Sequence, residues 1–287
     1  MRYALCAMPI PRIPQRLTRN LQQTSNNPQP TTRNTQRDMD IIEIEDLSHR
    51  FADGKFGIED INLNIREGSL VVLAGVNGSG KTTLLRHLNG LLTPTSGTVR
   101  LAGVSVARDL LKARQFVGMV FQDADSQIVG ETVYEDVAFG PENLRLDRAQ
   151  IKSRVSNALQ TVGMTDLAHM RPHLLSGGEK RRLAIAGILA MEPRVIVFDE
   201  PFSSLDFPGV KQVLQHILML HGLGHTILVT THDLEKIIAH ADRLILMSGG
   251  RIVRDGIPAE IIKDVEFFGV RKPCAFRLGL GAESWLN

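Results

Sequence analysis

Cysteine is scarce in this 287-residue chain: Cys6 and Cys274 are the only two. That is too few for a disulfide framework or a four-ligand metal site, and it agrees with a reducing cytosol. Long apolar runs are missing too. The most apolar helical stretch, Val210 to Val229, is broken by Lys211, Gln212, His216 and His221, so the sequence offers no membrane-spanning segment. A charge excess is also lacking, since 33 Lys+Arg against 31 Asp+Glu leave a net +2. Six arginines against Asp38 and Asp40 give residues 1–40 a charge of +4, so the remainder is close to −2. Such a body has no basic field of the kind nucleic-acid binding needs, and no nucleic-acid partner is expected. What is present is ordinary globular usage, 43% hydrophobic and 22% charged, which excludes a disordered, collagenous or coiled-coil chain.

Residues 1–38 are rich in Pro, Gln, Asn, Thr and Arg, show no periodicity, and are expected to be a disordered extension. Their composition suits a transit peptide, or a stretch upstream of a true start at Met39. Beyond them the pattern alternates. Strands are expected at Ile41–Ile44, Ile61–Ile65, Leu70–Ala74, Val195–Phe198 and Thr226–Val229, and helices at Lys81–Leu91, Arg148–Val162, Lys180–Met191 and Gly209–Leu220. Apolar strands between helices argue for an α/β fold with a largely parallel sheet. The stretch from about Asp123 to Leu174 carries helices and no apolar strand, as a helical insertion would.

Directly after Ala74 stands Gly75-Val76-Asn77-Gly78-Ser79-Gly80-Lys81-Thr82-Thr83, a Gly-x4-Gly-Lys-Thr match between a strand and a helix. A polyphosphate needs several backbone N–H groups converging on one point, and glycines let the chain curl tightly enough to supply them. The helix beginning at Lys81 adds its positive dipole end. Lys81 is then expected to reach the β- and γ-phosphates, and Thr82 to hold Mg²⁺. A glycine-rich turn with an exposed lysine is the plain alternative. A chance match at these four positions is on the order of 1% for a chain of this length, which disfavours it. Val195–Phe198 ends in the pair Asp199-Glu200. Asp199, at the strand tip, suits the Mg²⁺ shell of a P-loop NTPase. Glu200 is expected to point the other way and to polarise a water in line with the γ-phosphate.

Leu175-Ser176-Gly177-Gly178-Glu179 resembles the signature of ATP-binding cassette (ABC) ATPases. Other segments follow suit: Phe51 resembles the adenine-stacking aromatic, although Tyr is usual there, and Gln122 resembles the Q-loop glutamine that assists metal binding and catalysis. Asp206, in Ser203-Ser204-Leu205-Asp206, is similar to the D-loop aspartate, and His232 to the switch histidine that contacts the γ-phosphate. The resemblance covers about Asp40 to Lys263. It implies a P-loop NTPase cassette with a RecA-like α/β core, an antiparallel β subdomain and a helical insertion, within an ATPase domain at 39–264 followed by a tail at 265–287. It also implies that ATP and Mg²⁺ bind where two cassettes meet head to tail. Ser176, Gly177 and Gly178 of one would then close on the phosphate held by Lys81 of the other, in a homodimer or a heterodimer.

The stretch from Asp125 to Asn143 places apolar residues at 129, 133 and 137 beside acids at 131, 135 and 136, a surface able to cradle a partner helix and pair with its arginines. It resembles the corresponding segment of energy-coupling factor (ECF) import ATPases of the cobalt/nickel-like group. That resemblance implies an ATPase peripheral to the cytoplasmic face of the cell membrane, joined to an integral-membrane T-component and a substrate-binding membrane subunit. The cargo would be cobalt, nickel, biotin or another vitamin. A conventional ABC importer or exporter ATPase is the alternative. A soluble ABC ATPase is disfavoured, because neither a coiled-coil insertion nor a second cassette is present, and a non-hydrolysing sensor is disfavoured by Glu200.

Overall fold

A computed structural model describes residues 40–121, 123, 125–281 and 283–286. The extension 1–38 and Gln122 lie outside the described residues. In chain order the elements are β1 (Asp40–Arg50), β2 (Phe56–Arg66), β3 (Leu70–Ala74), α1 (Lys81–Leu88), β4 (Ser96–Leu101), β5 (Val104–Ser105), α2 (Leu110–Phe116) and β6 (Val117–Val120). Then come α3 (Val133–Asn143), α4 (Arg148–Thr161), α5 (Gly177–Leu189), β7 (Val195–Asp199), α6 (Phe207–Gly222), β8 (Thr226–Thr231), β9 (Arg243–Ser248) and β10 (Arg251–Gly256).

The strands form two sheets. One is antiparallel, in the order β2-β1-β4-β5, and the other has six strands in the order β10-β9-β3-β8-β7-β6. In the larger sheet every pairing is parallel except β10 with β9. Its apolar strands have no polar face because both faces are covered. Leu70, Val72, Ile196, Phe198, Ile227 and Val229 enter one core with helices α3 to α6. Their neighbours Val71, Leu73, Val195, Val197 and Leu228 point oppositely, into a second core shared with α1 and the antiparallel sheet. Each such fully buried aliphatic side chain contributes about 1.5–3 kcal/mol.

This strand order sets the site. Because β8 lies between β3 and β7, the carboxyl ends of three neighbouring strands deliver the phosphate loop, Thr231-His232 and Asp199-Glu200 side by side. Ligands bind at that edge in open α/β sheets.

After β10 the chain returns across the same edge. Val265 and Val270 are buried in the helical core. An added Cβ at Gly269 would come 3.0 Å from Val76 of the phosphate loop. Arg271 forms a parallel bridge with Asp233, His240 Nε2 lies 2.9 Å from Ser284 Oγ, and Trp285 packs on Phe207 with ring centroids 5.5 Å apart. No helix among the described residues is long and apolar enough to cross a membrane.

Candidate nucleotide site

The phosphate loop leaves β3 at Gly75 and enters α1 at Lys81. Gly80 stands at φ 102°, and a Cβ there would come within 2.8 Å of Gly57 O and 2.9 Å of Ile58 Cγ2. Only glycine meets both demands. The loop is tied from outside: Gly250 N donates to Ser79 O at 3.1 Å, and Glu59 N donates to Gly250 O at 2.9 Å. The β9–β10 turn thus joins the loop to the antiparallel sheet. Asn77 and Gly78 face solvent, whereas Ser79 is buried and its Oγ has no partner. Lys81 Nζ, also buried, donates to Gly75 O at 2.7 Å and Val76 O at 3.2 Å. Phe51 is 43% exposed and stands edge-on to His49 at 4.9 Å. Its ring edge and the methyl of Thr83 both border Gly57, where a Cβ would meet them at 2.7 and 3.1 Å.

Asp199 is buried and fully engaged. Its Oδ1 accepts the Thr230 hydroxyl at 2.6 Å, and the Thr82 hydroxyl donates to the same carboxylate, at 3.0 Å to Oδ2 and 3.3 Å to Oδ1. Glu200 does not point away from the loop, as strand alternation led us to expect. It has left the sheet at φ 49°, so the period-2 rule no longer governs its side chain. Its Oε1 lies 3.4 Å from Lys81 Nζ and its Oε2 is 2.9 Å from His232 Nδ1. Oε1 is an ion-pair partner of Lys81 without hydrogen-bonding geometry, and it has no other partner. His232 is exposed.

The loop therefore offers a cation, a helix N-terminus and the buried hydroxyl of Ser79, a donor without a partner, in one place, which suits a polyphosphate. Thr82 and Asp199 are hard oxygen donors and suit Mg²⁺. Among the described residues no cluster of three or more His, Cys, Asp or Glu could hold a metal. Among the described residues, a cation here would thus rest on Thr82, Asp199 and the phosphates themselves.

The signature lies on another element. Ser176 is the N-cap of α5: Glu179 N donates to its Oγ at 3.3 Å, while its own hydroxyl donates to Glu179 Oε2 at 2.7 Å. That hydroxyl, with the Ser176 backbone amide, holds the Glu179 carboxyl below its ordinary range. Gly177 and Gly178 are exposed, and among the described residues the hydrogen bonds of Ser176 stay within this cap. Asp206 is exposed and caps α6 by accepting Gly209 N at 2.9 Å. The structure thus brings Lys81, Thr82, Asp199, Glu200 and His232 together, and leaves Ser176–Gly178 and Asp206 on the surface.

The stretch from Asp125 to Asn143 departs from the expected partner surface. Val133 and Val137 are fully buried in the chain's own helical core, and only Val129, 62% exposed, remains outside. Asp136 is turned inward, accepting Val129 N at 2.7 Å and Gly130 N at 2.9 Å, and Glu135 closes a capping box with Thr132. Exposed Glu131 and Phe139 complete what is left of that face.

Three features have no counterpart in the motif reading. Gln127 clamps the end of β6 through Phe121 N at 2.8 Å and Met119 O at 2.9 Å. Lys180 of α5 pairs with Asp125 at 2.6 Å. The guanidinium of Arg181, buried on α5, donates to the carbonyl of Pro201 next to Glu200, and burial lowers its pKa. Each is a single polar residue within an otherwise ordinary helix or turn, so periodicity carries no sign of it.

Residues 58–203 match the family model described as ABC transporter. The energy-coupling factor transporter ATP-binding protein EcfA of Methanocaldococcus jannaschii is 45% identical over 231 residues, which span 79% of this chain and 83% of that protein. EcfA of Methanococcus maripaludis is 42% identical over 231 residues, with 79% and 83% covered. Among solved structures, cbiO1 from Clostridium perfringens, part of the ABC transporter complex cbiONQ, is 37% identical with a TM-score of 0.72. That match covers 79% of this chain and 92% of the other.

Proposed function

The chain belongs to the ABC transporter ATPases, among the energy-coupling factor transporter ATP-binding proteins, and from that premise we propose how its residues divide the work. Phe51 stacks on adenine. The N–H groups from Gly75 to Thr83, with Lys81, hold the phosphates. Thr82, Asp199 and Gln122 hold Mg²⁺, which when bound neutralises charge on the β- and γ-oxygens. Glu200 takes a proton from the attacking water, and His232, 2.9 Å away, steadies that carboxylate and contacts the γ-phosphate. Glu200 also neutralises Lys81, so an arriving triphosphate competes for the same ammonium and releases the carboxylate to its water. Ser176, Gly177, Gly178 and Asp206 sit on the surface because they serve a second cassette, copy or relative, facing this one. ATP clasps the pair and hydrolysis loosens it.

The assembly is peripheral, at the cytoplasmic face of the membrane. Exposed Val129, Glu131 and Phe139 receive an arginine-bearing helix of an integral-membrane T-component, which also engages a substrate-binding membrane subunit. The cargo is a metal ion of the cobalt or nickel kind, or a vitamin, and it touches those proteins rather than the ATPase. The observation that carries this reading is the convergence of Lys81, Thr82, Asp199, Glu200 and His232 at one sheet edge. Coexpression with a T-component tests it. The chain is expected to move to the membrane fraction only with that partner and to hydrolyse ATP there; no redistribution would overturn the transporter assignment.

A further inference from the structure

Strand β8 separates the phosphate loop from Asp199, and its Thr230 is completely buried. The Thr230 hydroxyl makes two contacts at once. It donates to Asp199 Oδ1 at 2.6 Å and accepts the N–H of Glu200 at 3.0 Å. A hydroxyl has one proton, and an ionised carboxylate can only accept, so the direction of both bonds is fixed. With Oδ1 engaged, the Thr82 hydroxyl approaches Oδ2 more closely, at 3.0 Å against 3.3 Å. The second contact falls on a residue in the left-handed region, φ 49°, which a glutamate enters at a cost. One hydroxyl therefore fixes the rotation of the Asp199 carboxylate and, as the nearer of two acceptors, the other being the Thr230 carbonyl at 3.2 Å, trims the pitch of the peptide that turns Glu200 back towards Lys81 and His232.

We propose that Thr230 is a positioning residue for ATP hydrolysis: its hydroxyl presents Asp199 to Mg²⁺ and aims Glu200, so metal affinity and turnover both depend on it. This rests on the ATPase reading above. Packing alone does not require the hydroxyl, because valine has the same branched shape and suits a buried strand equally.

The test compares full-length Thr230→Val, Thr230→Ser and the unsubstituted chain. Thermal unfolding checks the fold. Mn²⁺, as a stand-in for Mg²⁺, is titrated by EPR in the presence of a non-hydrolysable ATP analogue. A fluorescent ATP analogue is titrated in EDTA, and hydrolysis is followed against Mg²⁺ concentration. Thr230→Val is expected to weaken Mn²⁺ binding about tenfold and to lower kcat at saturating Mg²⁺ by a similar factor. Nucleotide binding in EDTA should be unchanged, and Thr230→Ser should restore both losses. Should Thr230→Val fail to fold, Thr230→Cys is read in its place, with the same losses expected from its weak donor. A folded Val or Cys variant with the original Mn²⁺ affinity and kcat overturns the proposal, as does a Ser variant that restores neither. If the unsubstituted chain binds no nucleotide and hydrolyses none, the ATPase reading fails instead.

Discussion

Replacing Glu200 by glutamine keeps its size and removes its charge. The Glu200 and Lys81 side chains are 14% and 6% exposed, so the change deletes one member of a largely buried ion pair 3.4 Å long. Breaking such a pair from one side costs about 3–5 kcal/mol in general. Here Lys81 keeps its bonds to two carbonyls, which places the loss at or below about 3 kcal/mol. Nucleotide binding should respond in the opposite direction. A triphosphate no longer competes with a carboxylate for Lys81 and meets one negative charge fewer, so affinity is expected to hold or to rise by up to about tenfold, or 1.4 kcal/mol. Turnover loses its general base, a factor of about 10²–10⁴, equivalent to roughly 3–5 kcal/mol of barrier. The assays are titration with a fluorescent ATP analogue, phosphate release, and sedimentation with Mg²⁺ and ATP, in which a trapped pair of chains should persist. Steady-state hydrolysis within about threefold of the original would refute the role of Glu200.

Two further outcomes follow from the same geometry. Lys81→Ala removes the one cation inside the loop and should weaken nucleotide binding at least tenfold in the same titration; unchanged affinity would place the phosphates elsewhere. Burial holds His87 and His216 below the ordinary pKa of 6.5, and His87 Nε2 has no partner. The unfolded chain therefore binds protons that the folded chain refuses. Stability is complete above pH 6.5 and is lost as pH falls through the folded values. Tm should drop between about pH 7.5 and pH 5.5, and His87→Gln should flatten part of that slope; a Tm that rises toward acid would contradict it.

Much of the site is readable in the sequence because its chemistry needs fixed residue types at fixed spacing. Gly75 to Thr83 must curl and then start a helix, and Asp199-Glu200 must end an apolar strand. Element ends were less legible. Helix α1 stops at Leu88, not Leu91, since the chain turns at Asn89 and Gly90. Helix α5 starts three residues earlier than its apolar pattern, because the Ser176–Glu179 box closes its first turn. The four residues of β6 and the two of β5 are too short to show a period, and β4 keeps most of its residues exposed. Spacing could not tell whether Val133 and Val137 face a partner or the chain's own core. The bend at Glu200 depends on Thr230, thirty residues away in sequence, so no local pattern holds it.

The returning tail puts an indole where the rest of the molecule has none. Trp285 is the single tryptophan of the chain, and it leans on Phe207, the residue after Asp206, on a segment that also touches Val76 and Asp233. Ultraviolet emission excited at long wavelength thus originates from one spot, against the residue that follows Asp206, and the protein carries its own optical gauge of movement there without a dye.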